Sequence, residues 1–206
     1  MGVHSSDASR LRWRRARALL ASGLVLGVGA AVTLAAWNDA EHSTATFTAG
    51  TFGIQGATTG QAFGDHATPQ TAEVLQFQAP TNAMTPGTTR YALFSVRTIA
   101  GSVAGAARLN ANEGNNTGLG QWLTYGVRTL PTGTACNQAN FDAATATKIV
   151  EPGARLATGS TVGLPLEASA GSQVNYCFAI TLPTTAPTGA QGTTVDARWE
   201  IVGTSS

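Results

Sequence analysis

The chain has 206 residues, with 12 Lys and Arg against 11 Asp and Glu, which suits one domain plus an extension; a domain of that size buries about 70% of its unfolded surface. Arg10, Arg12, Arg14, Arg15 and Arg17 precede residue 18, leaving seven basic against ten acidic residues after residue 36. With no later cluster of Lys and Arg to meet phosphates, nucleic acid is excluded as an expected partner.

The basic head runs into ALLASGLVLGVGAAVTLAA, residues 18–36, which carries no charge. As a helix this run would span roughly 28 Å, enough for a membrane crossing. Its composition favours export instead. Gly23, Gly27, Gly29 and six alanines make it only moderately apolar, and Ala35-Ala36 offers the small side chains that a signal peptidase accepts. The expectation is a cleaved signal over residues 1–36, with a retained anchor as the alternative. Arg14-Arg15 raises a twin-arginine signal, but the flanking residues match that pattern poorly. Export places Cys136 and Cys177 in an oxidising setting that favours a disulfide, the alternative being two buried free thiols.

Beyond residue 36 the apolar residues come in short alternating groups separated by turn signals, which predicts strands. In chain order these are 46–54, 73–77, 91–98, 106–111, 123–130, 147–151, 162–167, 174–182 and 194–202. The spacing predicts an all-β antiparallel sandwich of jelly-roll type with about 8–9 strands. Residues 37–55 form an N-terminal segment, and 56–206 the sandwich. Gly56 to Pro69 reads as a mobile loop, Thr85-Pro86-Gly87, Asn112 to Gly118 and Glu151-Pro152-Gly153 as turns, and 183–192 as a long hairpin connection. A short helix is the alternative over 141–149. In 174–182, Val174, Tyr176, Phe178, Ile180 and Leu182 share one face; in 194–202, Val195, Ala197, Trp199 and Ile201 point inward.

Titratable groups that could converge for catalysis are few. His42 and His66 follow the signal, without an HExxH run, a GxSxG elbow or a phosphate loop. Asp39, Glu41 and His42 lie close in sequence, as do Asp65 and His66, yet the bland reading is solvated polar residues. Glu73, Glu151, Glu167 and Glu200 are placed on strand edges or outward faces. LPTGT at 130–134 is one residue short of a sortase signal, and Lys148 is the single lysine. No enzyme activity, cofactor or metal is expected. What remains is strand exchange, in which a sheet edge accepts a strand from another chain.

The junction AAWNDAEHSTATFTAGTF, through Ala35, Ala36, Trp37, Asn38 and Asp39 and then Ala45, Thr46, Phe47, Gly50, Thr51 and Phe52, resembles that of exported TasA and camelysin-type proteins. MTPGTTRYALFSVRTIAGSVAGAARL, YCFAITLP and RWEIVG are similar to later parts of that family, while 110–173 does not align and the two cysteines depart from it. The resemblance implies cleavage between Ala36 and Trp37 by a SipW-type signal peptidase, and a secreted jelly-roll protein of the cell surface or biofilm matrix. It implies a fibre subunit whose partners are its own copies or a related subunit, with no membrane contact after cleavage. Donor strands in that family map here onto Trp37 to Ile54, with Thr46, Phe47, Gly50, Thr51, Phe52 and Ile54 as the candidate residues. A monomeric surface-binding module or adhesin of the same fold is the alternative, and a camelysin-like surface metallopeptidase the second, for which this sequence has no zinc motif.

Overall fold

The computed structural model describes residues 7–32, 39–79 and 83–206. The chain divides into two compact units, Met1–Phe47 and Thr48–Ser206. The first contains helix α1, Asp7–Val32. No helix among the described residues is long and apolar enough to cross a membrane. The expected cleavage pair, Ala36 and Trp37, lies outside the described residues.

The second unit is a sandwich of antiparallel strands. Its strands are β1 (Ile54–Thr58), β2 (Thr89–Thr98), β3 (Gly105–Ala111), β4 (Thr124–Leu130), β5 (Thr147–Arg155), β6 (Leu164–Leu166), β7 (Gln173–Thr181) and β8 (Trp199–Ser205). One sheet has the order β1-β2-β7-β4-β5 and the other β6-β3-β8. Between them lie Val96, Leu109, Tyr125, Val127, Leu166, Tyr176 and Phe178. These come from strands whose sequence alternates, because a strand turns successive side chains to opposite faces and one face here meets the opposite sheet.

Strand β7 is buried on both faces. Tyr176, Phe178 and Ile180 face the core as the alternation requires, yet Asn175, Cys177 and Ala179 are buried too. The cause is the segment between β4 and β5, which folds over the outside of the larger sheet. Its short helix α2, Gln138–Asp142, is capped by the Asn137 side chain, which accepts from Asn140 N. Phe141 of that helix packs with Leu130, Ala146, Cys177 and Ala179. Cys136 is joined to Cys177 with a Cα–Cα separation of 5.3 Å, so the expected disulfide is present. The buried Asn175 is satisfied, since its Oδ1 accepts from Ser95 Oγ at 2.7 Å and its Nδ2 donates to Leu130 O at 3.1 Å.

Several local expectations are corrected. The first strand begins at Ile54, and the loop expected from Gly56 contributes to it and then doubles back, exchanging two backbone hydrogen bonds between Gly56 and Gly64. Residues 73–77 alternate but join no ladder. Pro152 and Gly153, expected as a turn, lie inside β5 where its register against β4 shifts. That is tolerable because β5 is an edge strand, where a missing N–H can face away from the ladder. Residues 183–192 connect β7 to β8 across the two sheets and are therefore no hairpin. The helix alternative for 141–149 is met only by α2, which ends at Asp142.

Strand β8 starts at Trp199, five residues later than the alternation suggests. A side chain stands in for its missing ladder: Asn115 Oδ1 accepts from Arg198 N at 2.8 Å while its Nδ2 donates to Arg198 O at 2.8 Å. Val195, Ala197, Trp199 and Ile201 all pack on the core, so the inward face is as expected.

Candidate functional site

The two sheets do not close evenly. On the side where β1 and β2 border β8, the sandwich opens into a cleft of about 1240 Å³. Ile54, Phe94 and Val96 line it from the larger sheet, and Trp199 and Ile201 from β8. β8 pairs with β3 on one side only and forms the edge of its sheet. The other edges are shorter or interrupted. β6 has three residues, including Pro165; β5 carries Pro152 and a register shift; β1 meets the Gly56–Gly64 bridge. Such features blunt an edge against pairing, and the seven residues of β8 carry none of them.

Residues 65–77 run along the mouth of this cleft. Glu73, Leu75 and Phe77 are partly buried toward it, while Ala72, Val74 and Gln76 are exposed. This is the side-chain pattern of a strand without the backbone pairing of one. The described backbone bonds within 65–77 are local, Thr71 N to Thr68 O and Phe77 N to Leu75 O. At one end the Glu73 carboxylate holds the segment to β1, accepting from Thr58 Oγ1 at 3.0 Å. His66 sits beside it, with Nε2 3.6 Å from Glu73 Oε2 and Nδ1 2.9 Å from Thr71 O. At the other end Gln78 N donates to Tyr91 O at 3.3 Å.

The candidate donor residues divide between the two units. Thr46 and Phe47 belong to the first, have no regular structure, and leave Phe47 92% exposed. Gly50 begins the contacts of the second, because a side chain there would collide with Val103. Thr51 bridges Ser102, and Val103 N donates to Thr51 O at 2.9 Å. The Phe52 ring lies over Gly105 and Gly203, where any β-carbon would come within 3.0 Å of it. Ile54 opens β1 opposite Thr98. Thr51, Phe52 and Ile54 are therefore parts of this chain's own sandwich.

Of the titratable residues singled out in the sequence, Asp39, Glu41 and His42 are exposed and outside regular structure. Asp65 and His66 line the cleft, joined there by Glu73, which turns inward although the sequence placed it on an edge or outer face. Among the described residues no group of three or more His, Cys, Asp and Glu side chains is arranged to hold a metal ion. The perturbed ionisations are those of tyrosines. Burial raises Tyr125 to about 12 and pushes Tyr176 up as well; Tyr91 is raised by burial and by Asp142. A buried phenol that stays protonated is a hydrogen-bond donor for the core rather than an acid–base catalyst at neutral pH.

No protein-family model and no curated protein matches the sequence.

Proposed function

We propose that this chain is a non-enzymatic, exported structural protein whose copies assemble by adding an extended N-terminal segment to the open edge beside β8. The observation that carries the reading is the vacancy in the strand order. β2-β7-β4-β5 and β8-β3-β6 are the orders of the two four-stranded sheets of a jelly roll, except that one strand is missing next to β8. In a closed jelly roll the first strand fills that place; here β1 pairs with β2 instead. The unfilled position lies at an apolar cleft lined by Trp199 and Ile201, so a strand inserted there gains ladder bonds from β8 and apolar burial beneath it.

The segment best suited to fill it precedes the sandwich. Residues 39–50 have no regular structure, are exposed, and include Thr46, Phe47 and Gly50. Thr46 and Phe47 are exposed and outside regular structure, whereas Gly50, Phe52 and Ile54 pack on their own sandwich. Cleavage between Ala36 and Trp37 by a SipW-type peptidase would release this segment as the mature N-terminus, and the Cys136–Cys177 bond fits an extracellular destination on the surface or in a biofilm matrix.

The test compares residues 37–206 with a version lacking 37–50 by size exclusion and electron microscopy over a range of concentration and pH. Fibres or oligomers from the longer chain alone are expected. A longer chain that stays monomeric throughout would overturn the assembly reading, and equal assembly by both would remove the N-terminal segment from it.

A further inference from the structure

Two segments lining the cleft have the side-chain alternation of a strand without belonging to any of the described ladders. In 73–77, Glu73, Leu75 and Phe77 turn inward while Val74 and Gln76 are exposed. In 194–198, just ahead of β8, Val195 and Ala197 turn inward while Thr194, Asp196 and Arg198 are exposed. The described backbone bonds of 194–198 go to the chain that follows β3. Thr194 O accepts from Leu119 N, Arg198 O accepts from Asn112 N, and the Asn115 side chain bonds both Arg198 N and Arg198 O. Past the other end of β8, Ser206 N donates to Ala104 O, ahead of β3. In an antiparallel ladder alternate residues bond a given neighbour. The even-numbered residues of β8 therefore serve β3, and Trp199 and Ile201 turn their N–H and C=O groups to the open side.

The two segments run in opposite directions. Glu73 is bonded to Thr58, which pairs with Phe94, and Gln78 N is bonded to Tyr91 O, so this chain passes from the level of Phe94 to that of Tyr91. β8 goes the other way. Trp199 packs on Phe178, the partner of Ala92, and Gly203 lies against Ile54, the partner of Thr98. Residues 73–77 are thus antiparallel to β8 and level with its start. Chain order agrees, because the jelly-roll strand that fills the place beside β8 is the one leading into β2, and 73–77 precede β2.

We propose that residues 73–77 are this chain's own strand for the vacant place, pairing antiparallel with residues 197–201 to close the cleft and cover the edge of β8. Closing gives up one local bond, Phe77 N to Leu75 O. Inside, Leu75 and Phe77 meet Ala197, Trp199 and Ile201. Outside, the uncharged Val74 and Gln76 stand beside Asp196, Arg198 and Glu200, so no like charges are opposed. A free edge with nothing to blunt it is a liability, and covering it with the chain's own segment is one way to manage it. That the same place receives a strand from another copy rests on the function proposed above. On that reading the two strands compete, and a closed copy accepts none. The closing itself does not depend on it.

The test is amide hydrogen exchange of the full chain, read residue by residue by NMR. In a ladder with Trp199 the N–H groups of Glu73 and Leu75 face β8, and those of Val74 and Gln76 face away. Relative to intrinsic rates, exchange at Glu73 and Leu75 is expected to be slower than at Val74 and Gln76 by about tenfold or more. Trp199 should be protected with them. Leu75→Pro removes a donor on the β8 side and should return Trp199 to fast exchange, whereas Val74→Pro, whose missing N–H faces away, should not. Even protection along 73–77 overturns the proposal. So does Trp199 protection that survives Leu75→Pro; if it also rises with protein concentration, the place belongs to another copy. Should Leu75→Pro fail to fold, as circular dichroism would show, the alternation in the unaltered chain decides.

Competition has its own readout. A copy that is closed most of the time offers its edge only in the open fraction, so Leu75→Pro should assemble about three- to tenfold faster than Val74→Pro. Equal rates would show that the two strands do not share one place and overturn the competition. Alternating protection in a chain that never assembles would sink the assembly reading and leave the closing strand standing; assembly without alternating protection would do the reverse.

Discussion

The Tyr176 hydroxyl donates to the Ala107 carbonyl at 3.4 Å, tying the central strand of the larger sheet to the middle strand of the smaller one through the interior. Tyr125 makes a comparable bond to Thr158 O. Both phenols are buried, and burial favours the neutral form, which is why both ionise only well above their ordinary range. In this range the folded chain binds protons that the unfolded chain has lost. Stability is therefore complete below pH about 10 and falls as pH climbs toward the folded values, by about 1.4 kcal/mol per pH unit for each such tyrosine. Urea titrations at pH 8, 10 and 11 should show a level value and then a decline. Tyr176→Phe should lower stability by about 0.5–1.5 kcal/mol at pH 8 for the lost bond and flatten the alkaline slope. An unchanged slope in that variant would mean that Tyr176 is not protonated as the structure requires.

The disulfide holds the α2 segment against the outer face of the larger sheet, with Cys177 fully buried beneath it. It closes a loop of sequence separation 41, for which the chain-entropy estimate gives about 4 kcal/mol. Replacing both cysteines by alanine is expected to cost about 2–4 kcal/mol in urea unfolding. The sandwich core lies on the other face of β7, so far-ultraviolet circular dichroism should remain that of strands. Non-reducing mass spectrometry should find the two cysteines joined. Free thiols in the exported protein would remove the claim.

Trp199 packs against Phe178 at 5.3 Å and Tyr125 at 5.7 Å between ring centres, yet it also lines the cleft and is only partly buried. The sequence alone sets the cost of Trp199→Ala at about 3–5 kcal/mol, on the condition that the side chain is fully buried. Half-burial lowers the expectation to about 2–3 kcal/mol, read as a shift in the urea midpoint at constant slope. An effect near zero would show that neither ring depends on it.

What the sequence carried most clearly was the set of inward faces. Tyr176 with Phe178, and Trp199 with Ile201, alternate because each alternate side chain meets the opposite sheet, and this burial pattern is written directly in the residues. Backbone pairing is not written that way. Residues 73–77 alternate like a strand because Glu73, Leu75 and Phe77 face the cleft, but none of the described strands pairs with them. Conversely Pro152-Gly153 carries the composition of a turn and sits in a strand, because an edge excuses the missing donor. The pairing of β1 with β2, which leaves the place beside β8 open, depends on contacts distant in sequence, such as Phe52 on Gly105 and Gly203. His66 was visible as a lone histidine beside Asp65; Glu73 beside it was not, since the irregular chain of residues 67–72 brings them together.

The connection from β6 to β7 contains the two non-glycine residues described with positive φ, Ser169 at 52° and Ala170 at 57°. The left-handed region costs an ordinary L-residue roughly 1–2 kcal/mol, because its β-carbon crowds the following carbonyl. Tertiary bonds hold the turn there. Ser169 N donates to Ser102 O at 2.9 Å, and Ala170 N donates to Thr98 Oγ1 at 2.9 Å. Thr98 is fully buried and passes its own proton to Glu167 O at 2.6 Å. The conformation is thus imposed by Thr98 and Ser102 rather than chosen by the residues that adopt it. Glycine at position 170 relieves the crowding and keeps the backbone donor, at the cost of a more flexible unfolded chain. Ala170→Gly is expected to stabilise the protein by about 0.5–1 kcal/mol, against the usual sign of an alanine-to-glycine change. Thr98→Val, which keeps the shape and removes both the donor and the acceptor, should destabilise by about 0.5–1.5 kcal/mol because it breaks two partly buried hydrogen bonds, those to Glu167 O and from Ala170 N. Urea unfolding of the two variants decides the matter, and a destabilised Ala170→Gly would show that the turn is not in the left-handed region.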